Sequence, residues 1–557
     1  MKVLVISLVS CLLLQVMADD FEVATVIHPI LSNLKEPAID PNFGKAMPAI
    51  SSSSDLAALH VVQGMVRLAT SWDFEAYRHF CAAAARDPDC LMAYWGIAMS
   101  LAGGQHEFFL QREAAIGRML DLVELGKGVE LERGYAEAAK KLFSEGVRAS
   151  GKTYEAISKR FPRDVFSRLF SLFLLRDGYD TFGEPRLGQQ KALEGIRELL
   201  ALDSENVTVL SFWVGSQSES LMTPQKIREE VLPFARKLVE LKPQYPPFRL
   251  MLAHVEARCG EVSDAVRSCQ KAIELFEAYQ ESERVTLYDC ESLIRARVYL
   301  SHLLATKGLF AEAMEVADDL AQMEIRAERV FSKGATMLLW EARTLGARIA
   351  LGAENEEDFD RGLRNLDLLS KDQWFQEQSL VSEYRDSLGL CLGIRKAILA
   401  QDRKAANQLF ERLLVRAKGF EARRNLASKT SSYSHWLRAL NSMDVLVAEF
   451  KGALAEMEVG ATRKTAINWY QSAADRQIRA ENLLPPSLSY PLEIRLGRFY
   501  LHEGKNVLAR EVLDRAKERW PNHLGVLRLD HDLLKLEGRA DELKEREAQI
   551  QLLKARD

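Results

Sequence analysis

The sequence predicts an all-α protein whose helix-turn-helix repeats stack into an α-solenoid, and three observations carry that expectation. From Leu56 to the C-terminus, apolar residues recur at three- and four-residue spacing, the period of a helix buried on one face, with no alternating strand pattern. The 16 prolines and 31 glycines are fewer than average usage supplies, and they punctuate long stretches of Ala, Leu, Glu, Arg and Lys, which form helices readily. Small and turn residues also return at fixed places in a 34-residue frame, the period of stacked helix pairs. Because 47% of residues are hydrophobic and 27% charged, a continuous core is within reach and a mainly disordered chain is excluded.

The N-terminus reads as a secretory leader over residues 1–18: Lys2 supplies charge, Val3 to Leu14 the apolar run, and Val16-Met17-Ala18 a small-residue cleavage site before Asp19. Leu8-Val9-Ser10-Cys11 also has the form of a lipobox, so lipid anchoring at Cys11 stands as the alternative. Either leader implies export, to the periplasm or out of the cell. No later segment approaches the roughly 20 apolar residues that cross a bilayer. Residues 19–55 carry Pro29, Pro37, Pro41 and Pro48 and end in Ser51 to Ser54, the composition of an extended arm or linker. Residues 56–557 form the repeat array.

The first clear repeat spans 57–90. With Ala57 at position 1, Gly64 falls at position 8, Ala76 at 20, Phe80 at 24, Ala83 at 27 and Pro88 at 32. Small residues let the two helices approach, the aromatic fills the space between units, and the proline ends the second helix. In the same frame 490–523 places Leu496-Gly497, Tyr500, Gly504, Ala509, Ala516 and Pro521, and 246–279 places Leu252-Ala253, Gly260, Ala265 and Ala272. A fourth repeat, 294–327, keeps Leu300, Gly308 and Ala313, and a fifth near 387–420 keeps Ala406 and Phe410. Trp340-Glu341-Ala342 and the stretch from His435 to Tyr470 lack these marks, which predicts an irregular middle. The charged run Lys535 to Arg556 reads as a solvated capping helix.

These positions are the tetratricopeptide-repeat (TPR) pattern. Glu75-Ala76-Tyr77-Arg78-His79-Phe80, Asp87-Pro88-Asp89-Cys90 and Met92-Ala93-Tyr94-Trp95-Gly96-Ile97-Ala98 resemble a family of exported bacterial TPR proteins, and so do Leu484-Pro485-Pro486 and Tyr490-Pro491-Leu492-Glu493. The match is weak between those ends, notably around Ala253-His254-Val255. The resemblance implies a TPR fold and a bacterial origin, and brings no catalytic residues. In a eukaryotic host Asn206-Val207-Thr208 would instead be a glycosylation acceptor.

No motif for catalysis emerges. His106-Glu107 and His502-Glu503 begin like the H-E-x-x-H zinc helix, but Leu110 and Asn506 stand where the second histidine is needed. Ser268-Cys269-Gln270-Lys271 has S-x-x-K spacing without its companion motifs. There is no phosphate loop, nucleophile elbow or dinucleotide fingerprint, so neither an enzyme nor a cofactor is expected. Of the six cysteines after the leader, Cys81/Cys90 and Cys259/Cys269 are spaced for disulfides in an oxidising compartment, against the alternative of buried free thiols. The net charge of −5 offers no concentrated basic face for nucleic acid.

Binding is the remaining expectation. In a TPR unit, positions 2, 5, 9, 12 and 13 line the inner groove. His254 and His302 share position 9, Arg258 takes 13, Arg295 takes 2, and Arg498 and His502 take 9 and 13 of the last clear repeat. They predict a locally basic groove that receives an acidic or carboxylate-bearing segment of another protein through charge-assisted hydrogen bonds. Three alternatives remain: solvated side chains paired with neighbours such as Glu256 and Glu503, a metal site at His254 and His302 that lacks a fixed third ligand, and a receptor or enzyme pocket around His254, His302 and Arg258. In the first repeat, Ala58, Val61, Met65, Leu68 and Ala69 hold the groove positions, an apolar stripe expected to lie under the N-terminal arm. Trp72, Phe80, Tyr94 and Trp95 read as inter-helix core in preference to a ligand-stacking box.

Overall fold

The computed structural model describes residues 22–41, 43, 48–103, 107–180, 183–218, 220–353, 355–369, 379–477 and 483–555. Among these residues the chain is helical with no sheet, the only strand-like feature being one isolated bridge between Tyr179 and Pro185. Cys11 and the leader lie outside the described residues, as does His106. Among the described residues no helix is long and apolar enough to cross a membrane. The chain divides into two compact units: Met1–Gly178 with Arg186–Phe212 and Ser282–Val285, and Tyr179–Pro185 with Trp213–Glu281 and Thr286–Asp557. Within each, a helix packs mainly on its neighbours in sequence, which is the contact pattern of a repeat array.

The first unit begins with the hairpin Asp55–Ala69 and Asp73–Arg86. Ser54 caps the first helix by accepting from the Ala57 amide, satisfying one of the orphan donors at a helix start. The TPR frame explains the packing atom by atom. A Cβ on Gly64 would lie 2.7 Å from the Phe80 ring, and one on Gly96, in the next helix Leu91–Ser100, would also meet Phe80. Phe80 is thus seated between two glycines on flanking helices, and Ala76, Phe80 and Ala83 are fully buried. Pro88 lies in the turn just past Arg86. Trp95 is core, edge-on to Phe80, Tyr135 and Phe166, with its indole N–H donating to the Tyr154 hydroxyl at 3.2 Å.

The arm is not a free linker. It forms short 3-10 turns at Val23–Val26 and Pro29–Asn33, and its further described residues, 34–41, 43 and 48–54, are not helical. Ser51 bonds to Glu132, while Ser52 and Ser53 bond to Asp87, so the serine run is fixed by two carboxylates of the repeats it precedes.

In the second unit the frame recurs. Pro246–Cys259 ends in Gly260 at φ +77°, a left-handed cap that glycine adopts without a Cβ clash, before Val262–Glu283. Glu291–Lys307 ends the same way at Gly308 before Phe310–Ala321. Glu493–His502 and Asn506–Arg519 flank Gly504, and Gly497 lies against Leu529. Ala253, Ala265, Ala272, Ala509 and Ala516 are fully buried, and Tyr500 packs partly buried against the cluster that holds Ala509 and Ala516. The middle is irregular: Lys333–Met337 passes through a π-helical turn at Leu338–Ala342 into Arg343–Ala350. The last helices, Leu524–Glu537 and Ala540–Lys554, return to the earlier repeats of the same unit. Asn522 donates to the Gly260 carbonyl at 2.7 Å, Pro521 sits against Gly260, Leu524 against Gly308, and Lys307 donates to the Ala555 carbonyl at 3.1 Å. The turns at the ends of Pro246–Cys259 and Glu291–Lys307 are therefore in contact with the unit's own C-terminal end.

Candidate functional site

The second unit places the histidines of these repeats in its interior. His254 is fully buried and His302 is 8% exposed, so neither stands on an open groove wall. The Ser218 carbonyl, 3.3 Å from His254 Nε2, can only accept, which puts the proton on Nε2 and leaves Nδ1 to accept from the Tyr299 hydroxyl at 3.0 Å. Both ring nitrogens are used and the ring is neutral. Burial, reinforced by Arg258, pushes His254 down to about 3. Burial beside His523, Arg438 and Arg348 pushes His302 down to about 3. Arg258 donates to the Gln217 carbonyl at 2.6 Å and to the carbonyl and hydroxyl of Ser220, closing the turn after Val207–Ser216. The open basic groove expected at His254, His302 and Arg258 is thus corrected to a polar interior. Arg295 is half-buried on the same helix as His302.

Two buried ion clusters lie in the same unit. Glu341, in the π-helical turn, lies within 2.9 Å of Arg348, 3.1 Å of Arg438 and 3.2 Å of His435. Burial alone would raise its carboxyl, but the two guanidinium groups hold it well below the ordinary range. The same arginines reach the Pro485 and Ser487 carbonyls, which explains why the segment around Leu484-Pro485-Pro486 is fixed inside the unit. Glu449, fully buried, accepts from Arg395 at 2.5 Å, from Arg495 at 3.0 Å and from the Tyr490 hydroxyl at 2.6 Å. The sequence reading missed both clusters. A signal was present, since charged residues inside apolar helix patterns at 341, 348, 395 and 449 mark buried pairs when the array is wound tightly.

An open site lies beside the second cluster. A cleft of about 270 Å³ is lined by Gly352, Ala353 and Asn355, by Tyr490, Pro491, Arg495 and Arg498, and by His523, Gly525 and Arg528. Two helices supply its arginines: Glu493–His502 carries Arg495 and Arg498 on one face, three residues apart, and Leu524–Glu537 carries Arg528. Every charged side chain among the described lining residues is basic. Arg495 is anchored by Glu449 and lies 5.5 Å over the Tyr490 ring, so its fork is held in place. His523 lines the cleft and is itself buried. Its Nε2 donates to the Ser489 carbonyl at 2.9 Å, its Nδ1 accepts from the Gly525 amide at 3.0 Å, and burial pushes it down to about 4. Arg528 is exposed and has no acidic partner among the described residues. Of the sequence-predicted residues, Arg498 lines this cleft, whereas His502 does not; its side chain is 67% exposed and 3.7 Å from Glu456.

The remaining near-motifs have structural partners. Lys271 pairs with Glu274 at 2.7 Å, while Ser268 supports the buried Glu256 carboxyl, which burial raises to about 7. Glu503 pairs with Arg463 at 2.9 Å. Cys81, Cys90, Cys259, Cys269, Cys290 and Cys391 are free and buried, so neither spaced pair forms a disulfide; burial raises the Cys90 and Cys259 thiols to about 12.

No family model and no curated protein matches the chain. Solved structures with a similar course of helices include the human IFIT1 dimer with PPP-AAAA, at 16% identity and a TM-score of 0.33 over 83% of this chain and 91% of that one. The structure of Naa15/Naa10 bound to HypK-THB follows at 12% identity and 0.26, covering 91% and 74%. Yeast Tom70 gives 11% identity and 0.22, covering 76% and 99%. At these scores none of them bears on a residue or a ligand of this chain.

Proposed function

We propose that this chain is an exported TPR-type scaffold that acts by binding and not by catalysis, and that its second unit receives an acidic or carboxylate-bearing segment of another protein. The observation that carries the reading is the cleft at Arg495, Arg498 and Arg528, whose described charged side chains are all basic in a protein with a net charge of −5. Paired guanidinium forks suit carboxylates because each offers parallel N–H donors in one plane. Tyr490, Pro491 and Ile494 give the cleft an apolar side for the stem of such a segment. Export is supported by the leader-like residues 1–18, and sequencing the N-terminus of the protein purified from its host tests it, with Asp19 as the expected first residue.

The binding experiment is fluorescence anisotropy of the full chain with labelled peptides of equal length, one rich in Asp and Glu and one neutral. The acidic peptide is expected to bind more tightly, with an affinity that falls as salt rises, and Arg498→Ala/Arg528→Ala is expected to weaken it by about tenfold or more, as for loss of one or two charge-assisted hydrogen bonds. Equal binding of both peptides, or an unchanged affinity in the variant, would remove the reading.

A further inference from the structure

One face of the first hairpin, carrying His60, Gln63, Tyr77, Arg78 and Arg86, already holds an extended segment, and that segment is the chain's own arm. Side chains of the hairpin grip its main chain. The Tyr77 hydroxyl donates to the Val26 carbonyl and accepts from the His28 amide, both at 2.9 Å. Arg78 donates to the Lys35 carbonyl at 2.7 Å, and Gln63 donates to the Asp40 and Phe43 carbonyls at 2.9 and 3.0 Å. One side chain of the arm is read as well. Glu36 accepts from His60 at 2.8 Å and pairs with Arg86.

Beneath Glu36 lies an unusual contact. His60 and His79, at 1% and 0% exposure, face each other through their Nδ1 atoms at 3.0 Å. Only one proton fits between those atoms. The arrangement that satisfies both rings puts a proton on His60 Nε2 toward Glu36 and one on His79 Nδ1 toward His60, leaving His79 Nε2 without a hydrogen-bond partner. A first added proton can be taken at that nitrogen, 3.9 Å from Glu75. A second has no place, because it would set two N–H groups head to head. The surroundings oppose it further: Arg67 on the same helix as His60, Arg78 and Arg86 on the helix of His79 all face the pair, against Glu75, Glu36 from the arm, and Glu283, which is bound to Arg78 at 2.8 Å. Burial holds both rings below their ordinary value.

We infer that this face of the first hairpin is a binding surface for an extended segment carrying one acidic side chain, occupied in cis by residues 26–41 and Phe43, and that acid releases this occupant through the His60–His79 pair. The arm is then an exchangeable ligand. A competing partner would need a carboxylate in the place of Glu36 and free main-chain carbonyls for Arg78 and Gln63. Because a histidine has an ordinary value near 6.5 once exposed, lowering the pH to 5.5 weakens docking by about tenfold for each histidine that regains that value on release.

Hydrogen exchange of the full chain at pH 7.5 and 5.5, corrected for intrinsic rates, reads this directly. Arm peptides containing the His28 and Asp40 amides are expected to lose protection by about tenfold or more at pH 5.5, while the helical amides of Asp55–Ala69 and Asp73–Arg86 keep theirs. In His79→Gln, whose amide still donates to His60 but does not titrate, the pH effect on the arm should shrink by at least threefold. Equal arm protection at both pH values, an undiminished effect in His79→Gln, or simultaneous loss in arm and helices would overturn the inference.

Discussion

Acid should loosen the second unit by a calculable amount, because three of its core histidines are held neutral by the fold. His254, His302 and His523 stand at about 3, 3 and 4 when folded, and each returns to about 6.5 in the unfolded chain. A base held below its ordinary value binds fewer protons in the native state, so its contribution is complete above 6.5 and is lost as pH falls toward the folded value. At pH 5 each histidine costs about 2 kcal/mol, and the figure barely depends on the folded value so long as that lies well below 5. Glu256 acts in the opposite sense. Burial raises it to about 7, so protonation on acidification relieves its desolvation and returns about 2 kcal/mol between pH 7.5 and 5. The net loss is about 4 kcal/mol, a large share of the stability of an ordinary domain. Urea unfolding at the two pH values, followed by hydrogen exchange in Pro246–Cys259 and Glu291–Lys307, measures it. His254→Gln, which can still donate to Ser218 and accept from Tyr299, should cut the pH-dependent loss by about 2 kcal/mol. A pH-independent midpoint, or a His254→Gln variant with the parental slope, would refute the argument that buried neutral histidines govern this unit.

Other outcomes follow from single contacts. Gly96→Val should drive its side chain into the Phe80 ring and cost about 1–3 kcal/mol, read as a lowered Tm, with Phe80→Leu partly restoring it. Glu449→Gln leaves Arg395 buried without its counter-charge and should cost about 3–5 kcal/mol in urea titration, whereas Arg395→Met/Glu449→Leu should cost less than the single change. The six described thiols should react with a maleimide only after denaturant is added, since all are buried and none is paired; mass spectrometry counts the additions.

The helical class, the hairpin pairing and the packing small residues were legible because they are local. Gly64, Ala76, Phe80 and Ala83 recur at spacings set by helix geometry, and Gly260, Gly308 and Gly504 sit where a chain must enter the left-handed region to turn. The irregular middle was legible in the same way, from the absence of those marks around Trp340-Glu341-Ala342, where the helix takes its π turn. The cleft was legible only in part. Arg498 stood out by its place in the repeat, but Arg495 and Arg528 did not, since their meeting depends on helices Glu493–His502 and Leu524–Glu537 facing Gly352 to Asn355 from distant parts of the chain.

By itself the sequence determined which residues turn inward, because position within a helix pair is a matter of 3.6-residue periodicity. Whether inward meant toward a ligand or toward the core was decided by tertiary structure alone. His254 and His302 occupy the inner positions that the frame assigns, yet Ser218 and Tyr299 bond to the first, His523 lies beside the second, and both rings are buried as neutral core groups. The curvature of a repeat array is the sum of small rotations between successive pairs, set by side-chain volumes at every interface, and no single residue along the chain encodes it.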